Sequence, residues 1–104
     1  MAVVVVATIT PKEGLLDEVV EIYKETIPLV HQEPGCELYA LHRGKDRLVM
    51  IERWESPEAL AVHAKAPALA AAHAKTDGKL AGPSDVQVTQ AIPAGEPAKG
   101  ALGG

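Results

Sequence analysis

The sequence predicts a single α+β domain with the element order βαββαβ and one four-stranded antiparallel sheet. Four stretches rich in Val, Ile, Leu or Tyr have the length of strands, and they are separated by stretches with helical periodicity or high alanine content. Pro, Gly and Ser residues mark the boundaries between these stretches. A chain of 104 residues, 47% of them hydrophobic, is long enough for one core and too short for two.

The first strand and the first helix are predicted from the N-terminal part of the chain. Residues 3–10 are mostly β-branched and barely alternate in polarity, which indicates a strand buried on both faces. The Thr-Pro-Lys-Glu stretch that begins at Thr10 fits a helix start, although Gly14 can delay the helix by one turn. Apolar residues then recur at three- and four-residue steps over residues 16–30, and we expect Pro28 to bend this helix or end it early.

The middle of the chain predicts a hairpin followed by two short helices. Residues 36–43 and 48–55 have the composition of strands, and the residues between them fit a hairpin connection. Ser56, followed by a proline and a glutamate, is a good helix start with its hydroxyl as the N-cap. Pro67 starts a second helix, which we expect to end near residue 78.

The last strand completes a ferredoxin-like, or split βαβ, arrangement. Residues 85–92 alternate apolar and polar side chains, whereas residues 93–104 are mostly Pro, Gly and Ala. We therefore expect one domain over residues 1–92 and a flexible tail over residues 93–104. Helices cover one face of such a sheet, and the strands here are apolar on both sides. We expect a second copy to cover the other face, giving a homodimer that buries roughly 800 Å² or more per subunit.

Charge and composition exclude several classes of protein. The formal net charge is −4 and no basic stripe is present, so nucleic acid and anionic membranes are poor partners. The apolar run at residues 3–7 is too short for a membrane span, and the single cysteine, Cys36, cannot form an internal disulfide. These features predict a cytoplasmic location. No glycine-rich phosphate loop and no metal-ligand spacing is present, so we expect neither a nucleotide cofactor nor a metal.

Several segments together form a pattern that is similar to a known family. They are Glu33-Pro34-Gly35-Cys36, the strand with Tyr39 and His42-Arg43, the run Glu-Arg-Trp-Glu-Ser-Pro-Glu-Ala-Leu at residues 52–60, His63 and His73. Over about residues 3–92 the chain resembles the antibiotic biosynthesis monooxygenase family. The resemblance implies a dimeric α+β barrel with one pocket per subunit. The family includes cofactor-free oxygenases of anthrones and quinols, haem-degrading enzymes and an isomerase, so it specifies the fold more closely than the reaction.

Five residues are candidates for a functional site. His63 and His73 lie beside apolar residues on helix faces that we expect to point inward, and an imidazole can exchange a proton near neutral pH. His63 also matches the family pattern, because it follows the Trp-Glu-Ser-Pro segment. Trp54, Tyr23 and Tyr39 are candidate substrate-binding residues. The alternative for each of the five is an ordinary packing position or a place at the pocket rim.

The favoured function is cofactor-independent monooxygenation of a quinol or polycyclic phenol, with O2 as co-substrate. This hypothesis requires a flat apolar ring in a dry pocket, with His63 as base or proton shuttle. Haem is a minor alternative that the resemblance implies, with His73 as axial ligand. Against it, His63 stands at a position that is tryptophan-like in the haem-degrading branch, and the first strand lacks that branch's asparagine. The same residues are also compatible with a small-molecule isomerase or a non-catalytic ligand-binding dimer.

Overall fold

The computed structural model describes residues 2–103 and confirms the predicted ferredoxin-like α+β fold. A four-stranded sheet has the strand order β2-β3-β1-β4, and each neighbouring pair is antiparallel. The elements in chain order are β1 (Val3–Ile9), α1 (Leu16–His31), β2 (Cys36–Arg43), β3 (Leu48–Trp54), α2 (Pro57–Ala64), α3 (Pro67–Thr76) and β4 (Asp85–Gln90). The predicted domain and tail also included Met1 and Gly104, which lie outside the described residues.

The sheet has one face covered by helices and one open face. Every second residue of β1 and β3 points to the covered face and is buried: Val3, Val5, Ala7, Ile9, Leu48, Met50, Glu52 and Trp54. The residues between them, such as Val6 and Ile51, point to the open face and are only half-buried. Within one subunit, strand β1 is therefore buried on one face and half-buried on the other, whereas the sequence predicted burial on both faces. The half-buried face is the one for which the sequence predicted a covering second copy.

Helix α1 begins later and ends later than the simplest interpretation of the sequence. It starts at Leu16, after Gly14 has turned the chain with a φ of 85°, which is the one-turn delay that the glycine suggested. The helix does not end at Pro28 and continues to His31. Pro28 is exposed and lies in the last turn, so the carbonyl that it leaves without a partner can be hydrated.

Helix α2 starts as predicted, with Ser56 as its N-cap. The Ser56 Oγ accepts a hydrogen bond from the Ala59 backbone N–H at 3.1 Å, and Pro57 occupies the first helical position. We expect Ser56→Ala to lower the free energy of unfolding by about 1 kcal/mol, because that N–H loses its partner. Urea denaturation measures this loss, and Ser56→Asp is the matched control because aspartate also caps. An alanine variant as stable as the wild type would contradict the assignment of the cap.

Strand β4 forms one edge of the sheet, and the residues after it reach back to Arg53 of the interior strand β3. Both apolar residues of β4 that face the helices are exposed, Val86 by 53% and Val88 by 61%. Residues 93–103 contain no helix or strand, but the Arg53 Nη1 donates a hydrogen bond to the Leu102 carbonyl at 2.6 Å. Within residues 2–103, no helix combines the length and the apolar character that crossing a membrane requires.

Candidate functional site

A cavity of about 220 Å³ lies between the covered face of the sheet and the helices. Its walls are mainly apolar, and the apolar lining residues are Val5, Ala7, Ile9, Met50, Leu60, Ala64, Leu69 and Val86. The polar lining residues are Tyr23, Tyr39, Glu52, His63, His73 and Ser84. Four of the five predicted site residues therefore lie around one cavity. Trp54 is not among the lining residues.

His63 is held in one orientation by the half-buried carboxylate of Glu33. It lies in the last turn of α2, is only 4% exposed, and its Nδ1 is 2.7 Å from the Glu33 Oε1. An ionised carboxylate can only accept a hydrogen bond, so Nδ1–H is the donor, and in the neutral imidazole the lone pair then lies on Nε2. The Nε2 makes no hydrogen bond within residues 2–103, and its 3.9 Å distance to the Glu52 Oε1 is too long for one.

The turn between α1 and β2 carries Glu33 to His63. Gly35 in this turn has a φ of 83°, and a Cβ at this position would lie 2.5 Å from the Ala59 Cβ. The Gly35 carbonyl also accepts a hydrogen bond from the Glu55 backbone N–H at 2.8 Å. Glycine thus lets the turn pack directly against the start of α2. Because Ala59 and His63 are four residues apart on one helix face, the same contact places Glu33 beside His63.

Trp54 supports the site from behind rather than lining it. Its side chain is fully buried, and its ring stacks on the His63 ring with centroids 4.4 Å apart and planes 29° apart. The indole Nε1–H donates a hydrogen bond to the Glu52 Oε1 at 2.9 Å. Trp54 therefore fixes the positions of two polar groups that line the cavity.

The remaining predicted site residues occupy different depths of the cavity. Tyr23 and Tyr39 are buried, and the Tyr39 ring meets the His63 ring edge-on with centroids 5.4 Å apart. Within residues 2–103, neither tyrosine hydroxyl makes a hydrogen bond, and neither hydroxyl oxygen is completely buried. Because both residues line the cavity, a ligand there can reach the hydroxyl groups. His73 is exposed although it lines the cavity, which places it at the solvent-facing end.

The site brings two acidic side chains together in a largely buried region. Within the described chain, neither Glu33 nor Glu52 forms an ion pair with a lysine or arginine, and both contact the same imidazole. Burial raises the pKa of Glu52, and the charge of Glu33 adds to this, whereas the Trp54 hydrogen bond and His63 oppose it. Burial, reinforced by the charge of Glu52, also raises the pKa of Tyr39 and of Tyr23. Both phenols therefore stay protonated at neutral pH.

Glu52→Gln is expected to make the stability of the protein less sensitive to rising pH. Since burial raises the pKa of Glu52 above the ordinary 4.5, the carboxyl ionises more readily in the unfolded chain. Its stabilising contribution is fully present below about pH 4.5 and is lost as the pH rises through the folded-state pKa. Glutamine stays neutral and keeps an oxygen for the Trp54 N–H.

Urea denaturation between about pH 4 and about pH 8 measures this effect. The difference in the free energy of unfolding should move in favour of the variant as the pH rises. Glu13→Gln is the control, because Glu13 is exposed in a loop. A difference between Glu52→Gln and wild type that stays constant with pH would contradict the assigned environment of Glu52.

Two residues of this cluster, Glu33 and Glu52, were not selected from the sequence. The sequence contains a pattern that could have identified Glu52. Alternation along β3 places Glu52 on the same face as Met50 and Trp54, which is the buried face. Glu33 had no comparable signal, since 30 positions separate it from His63. No group of three His, Cys, Asp or Glu residues in the described part of the chain is arranged to hold a metal ion.

Comparison with known proteins identifies the family. A sequence model of the family described as antibiotic biosynthesis monooxygenase matches residues 2–75. The chain belongs to the antibiotic biosynthesis monooxygenase family. The matched segment of this monooxygenase-family chain runs from β1 to α3 and contains Glu33, Glu52 and both histidines of the cavity. None of the curated proteins matches the chain in sequence.

Solved structures with the same fold cover almost the whole of this family member. Rv0793 from Mycobacterium tuberculosis is 24% identical with a TM-score of 0.83, over 92% of this chain and 100% of its own. A protein from Caulobacter crescentus CB15, described as a candidate antibiotic biosynthesis monooxygenase, is 26% identical with a TM-score of 0.81, over 88% of this chain and 90% of its own. One from Nitrosomonas europaea, similarly described, is 15% identical with a TM-score of 0.82, over 90% of this chain and 94% of its own. At identities this low, the likeness to the first and third shows the fold alone.

Proposed function

We propose that this family member is a cofactor-independent monooxygenase that oxidises a small quinol or related phenol with O2. Membership of the family indicates an oxidoreductase in general terms, and the site supports the finer assignment. The observation that carries the proposal is the hydrogen bond between the buried His63 and the half-buried Glu33. His63 lines an apolar cavity, and its Nε2 remains free. This arrangement provides a base with a fixed tautomer at a place where a flat ring can bind.

Deprotonation of the substrate is the step that these residues would perform. The O–H bond of a substrate hydroxyl breaks, an N–H bond forms at the His63 Nε2, and the carboxylate of Glu33 stabilises the resulting imidazolium. The phenolate is a better one-electron donor than the phenol, so it can reduce O2. For a quinol, a ring C–H becomes C–OH, the quinol becomes a quinone, and the second oxygen atom leaves as water. All four electrons come from the substrate.

The apolar walls support this chemistry by limiting competing hydrogen bonds from water. In a site of low dielectric, the hydrogen bonds of the tyrosine hydroxyls to an anionic oxygen are stronger than they are in water. Because both phenols keep their protons at neutral pH, Tyr23 and Tyr39 can act only as donors toward that oxygen. We therefore assign them to binding and orienting the substrate, with His63 as the catalytic base and His73 at the entrance.

The size of the cavity favours a small ring over haem. Sites for drug-sized ligands typically measure about 300–1,000 Å³, and this one measures about 220 Å³. A space of this size favours a ligand smaller than haem, and His73, the expected haem ligand, is exposed at the solvent-facing end. We expect no Soret shift when haemin is titrated into the protein. The small size of the cavity supports a reaction in which the substrate and O2 are the redox partners.

Oxygen uptake tests the proposed reaction. Chelator-treated protein is mixed with menadiol, anthrone and a monocyclic quinol, and uptake is compared with buffer at the same pH. We expect acceleration with at least one substrate, and one ¹⁸O atom from labelled O2 in each product molecule. No acceleration over buffer across the panel would overturn the assignment, and saturable binding without turnover would favour a non-catalytic ligand-binding protein.

A small-molecule isomerase is the second candidate, because the cavity also offers an acid next to the base. Burial raises the pKa of Glu52, so this carboxyl group holds its proton to a higher pH than an exposed glutamate does, and it faces the same space as the imidazole of His63. Such a pair can move a proton from one atom of a substrate to another without oxygen. Turnover that proceeds equally well under nitrogen would favour the isomerase over the oxygenase.

We also propose that the chain functions as a homodimer through its open sheet face. The support is the row of half-buried apolar side chains on that face, including Val4, Val6 and Ile51. Sedimentation at micromolar concentration tests this, with a dimer as the expected species. A monodisperse monomer would contradict it.

A further inference from the structure

We infer that Glu52 and His63 together recognise one uncharged hydroxyl group of the ligand. The site therefore selects ring compounds that carry a neutral hydroxyl group, such as phenols and enols, over ring carboxylates, ring phosphates and ethers. The inference rests on the proposed function, because it assigns a substrate class to the same cavity. It adds Glu52 as a binding residue with a defined role, donation of a hydrogen bond to the ligand oxygen.

The spacing of the two groups fits one shared ligand atom. The nearest carboxyl oxygen of Glu52 is 3.9 Å from the His63 Nε2, which is too long for a direct hydrogen bond. That oxygen is Oε1, and the free Oε2 belongs to the same carboxyl group. A ligand hydroxyl at about 2.8 Å from the Nε2 and from Oε2 can bridge the two groups, because two such hydrogen bonds span up to about 5.6 Å. Both residues line the cavity, and both are at least 95% buried, with exposures of 5% for Glu52 and 4% for His63.

Each group keeps one hydrogen-bonding position free for a ligand. Glu52 uses its Oε1 to accept from the Trp54 N–H, and within residues 2–103 its Oε2 makes no hydrogen bond. His63 uses its Nδ1–H on Glu33 and leaves the lone pair of Nε2 unused. The Glu52 Oε2 and the His63 Nε2 are not completely buried. Since both residues line the cavity, a ligand in the cavity can reach these two atoms.

The charges around the imidazole favour a protonated Glu52. The buried Glu52 and the half-buried Glu33 contact one histidine, and no lysine or arginine of the described chain pairs with either of them. The shorter contact, 2.7 Å, belongs to Glu33, so the negative charge is best compensated there. A carboxylate at Glu52 would have only the Trp54 N–H and the more distant imidazole to compensate it, so burial and the charge of Glu33 favour the protonated form of this carboxyl group. The protonated carboxyl then donates to the ligand.

A hydroxyl is the group that matches this pair. It gives its hydrogen to the Nε2 and accepts one from Glu52, whereas an ether has no hydrogen to give. A carboxylate has no proton for the Nε2, a phosphate carries between about one and two negative charges at neutral pH, and either would face the negative charge of Glu33. No lysine or arginine is among the residues that line the cavity. The lining therefore disfavours a phosphorylated ligand.

Binding of three matched ligands tests the inference without requiring turnover. Under nitrogen, calorimetry on the full chain compares 2-naphthol with 2-methoxynaphthalene and with 2-naphthoate. We expect 2-naphthol to bind about tenfold more tightly than either analogue, the size of effect expected for one or two buried hydrogen bonds. Equal affinities for 2-naphthol and either analogue, or no binding of 2-naphthol, would overturn the inference.

Two variants at Glu52 identify the donor. Glu52→Gln keeps an N–H donor and an oxygen for Trp54, so it should retain the preference for 2-naphthol over 2-methoxynaphthalene within about twofold. Glu52→Leu should lose most of that preference. Circular dichroism checks that both variants fold, and if the leucine variant does not, the glutamine variant and the ligand series decide. A preference that survives in a folded Glu52→Leu variant would overturn the role of Glu52.

The outcome separates this inference from the proposed reaction. Oxygen uptake with a quinol, together with equal binding of the three ligands, would refute hydroxyl recognition and leave the oxygenase assignment standing. A clear preference for 2-naphthol without oxygen uptake on any quinol would refute the oxygenase assignment and keep the hydroxyl-binding pair.

Discussion

Replacing His63 by glutamine is expected to lower the rate of quinol-dependent oxygen uptake by a factor on the order of 10²–10⁴, the usual contribution of a general base. Glutamine can still donate an N–H to Glu33, so the half-buried carboxylate keeps a partner and we expect the fold to be preserved. What the variant lacks is a lone pair that accepts a proton at neutral pH. Oxygen-electrode rates at saturating substrate, compared with buffer, measure the loss.

The other histidines provide matched controls for this variant. His73→Gln should lower the rate of oxygen uptake by less than about tenfold, because His73 is exposed at the cavity entrance, where water can replace its side chain. His42→Gln should leave the rate unchanged, since His42 is exposed near the end of β2 and is not among the lining residues of the cavity. Equal losses in the His63 and His73 variants would contradict the assignment of His63 as the single base.

Trp54→Ala is expected to destabilise the protein by about 3–5 kcal/mol, the usual cost of removing a large buried aromatic side chain. The indole is fully buried. The substitution leaves a cavity between the sheet and α2, removes the ring that stacks on His63, and deprives Glu52 of its hydrogen-bond donor. Urea denaturation followed by circular dichroism at 222 nm, a standard wavelength for helix content, measures the change in the free energy of unfolding.

Two further variants separate packing from hydrogen bonding at this position. Trp54→Phe keeps an aromatic ring but not the N–H, so its cost should be smaller, about 1–3 kcal/mol. Leu29→Ala serves as a surface control, because Leu29 is 58% exposed, and should change stability by less than about 0.5 kcal/mol. A Trp54→Ala variant within about 1 kcal/mol of wild type would contradict the packing of the indole.

The fold was predictable from the sequence because its signals are local. The Ser56 cap followed by Pro57 specified the start of α2, and the alternation of β3 specified its buried face. The prediction that Pro28 ends α1 early was wrong, because the effect of a proline depends on where its side chain and the unpaired carbonyl lie in the folded chain. Helix α1 continues through Pro28 because the residue is exposed in the last turn, where solvent can satisfy the unpaired carbonyl.

The candidate site was predictable only in part. His63 was selected because its residue type and its place after the Trp-Glu-Ser-Pro segment are informative. Its partner Glu33 was not, because the contact depends on how closely the Gly35 turn approaches Ala59 in three dimensions. The same limit applies to Trp54, which the sequence placed against the ligand and the structure places behind His63 and Glu52.

The stacking of Trp54 on His63 gives the protein an intrinsic optical reporter. Trp54 is the single tryptophan of the sequence, so all indole fluorescence comes from the ring that lies 4.4 Å from the imidazole. An imidazolium quenches indole emission more strongly than a neutral imidazole does. The emission intensity of the unlabelled protein should therefore follow the protonation of the base during a stopped-flow experiment, with no dye attached and no residue replaced.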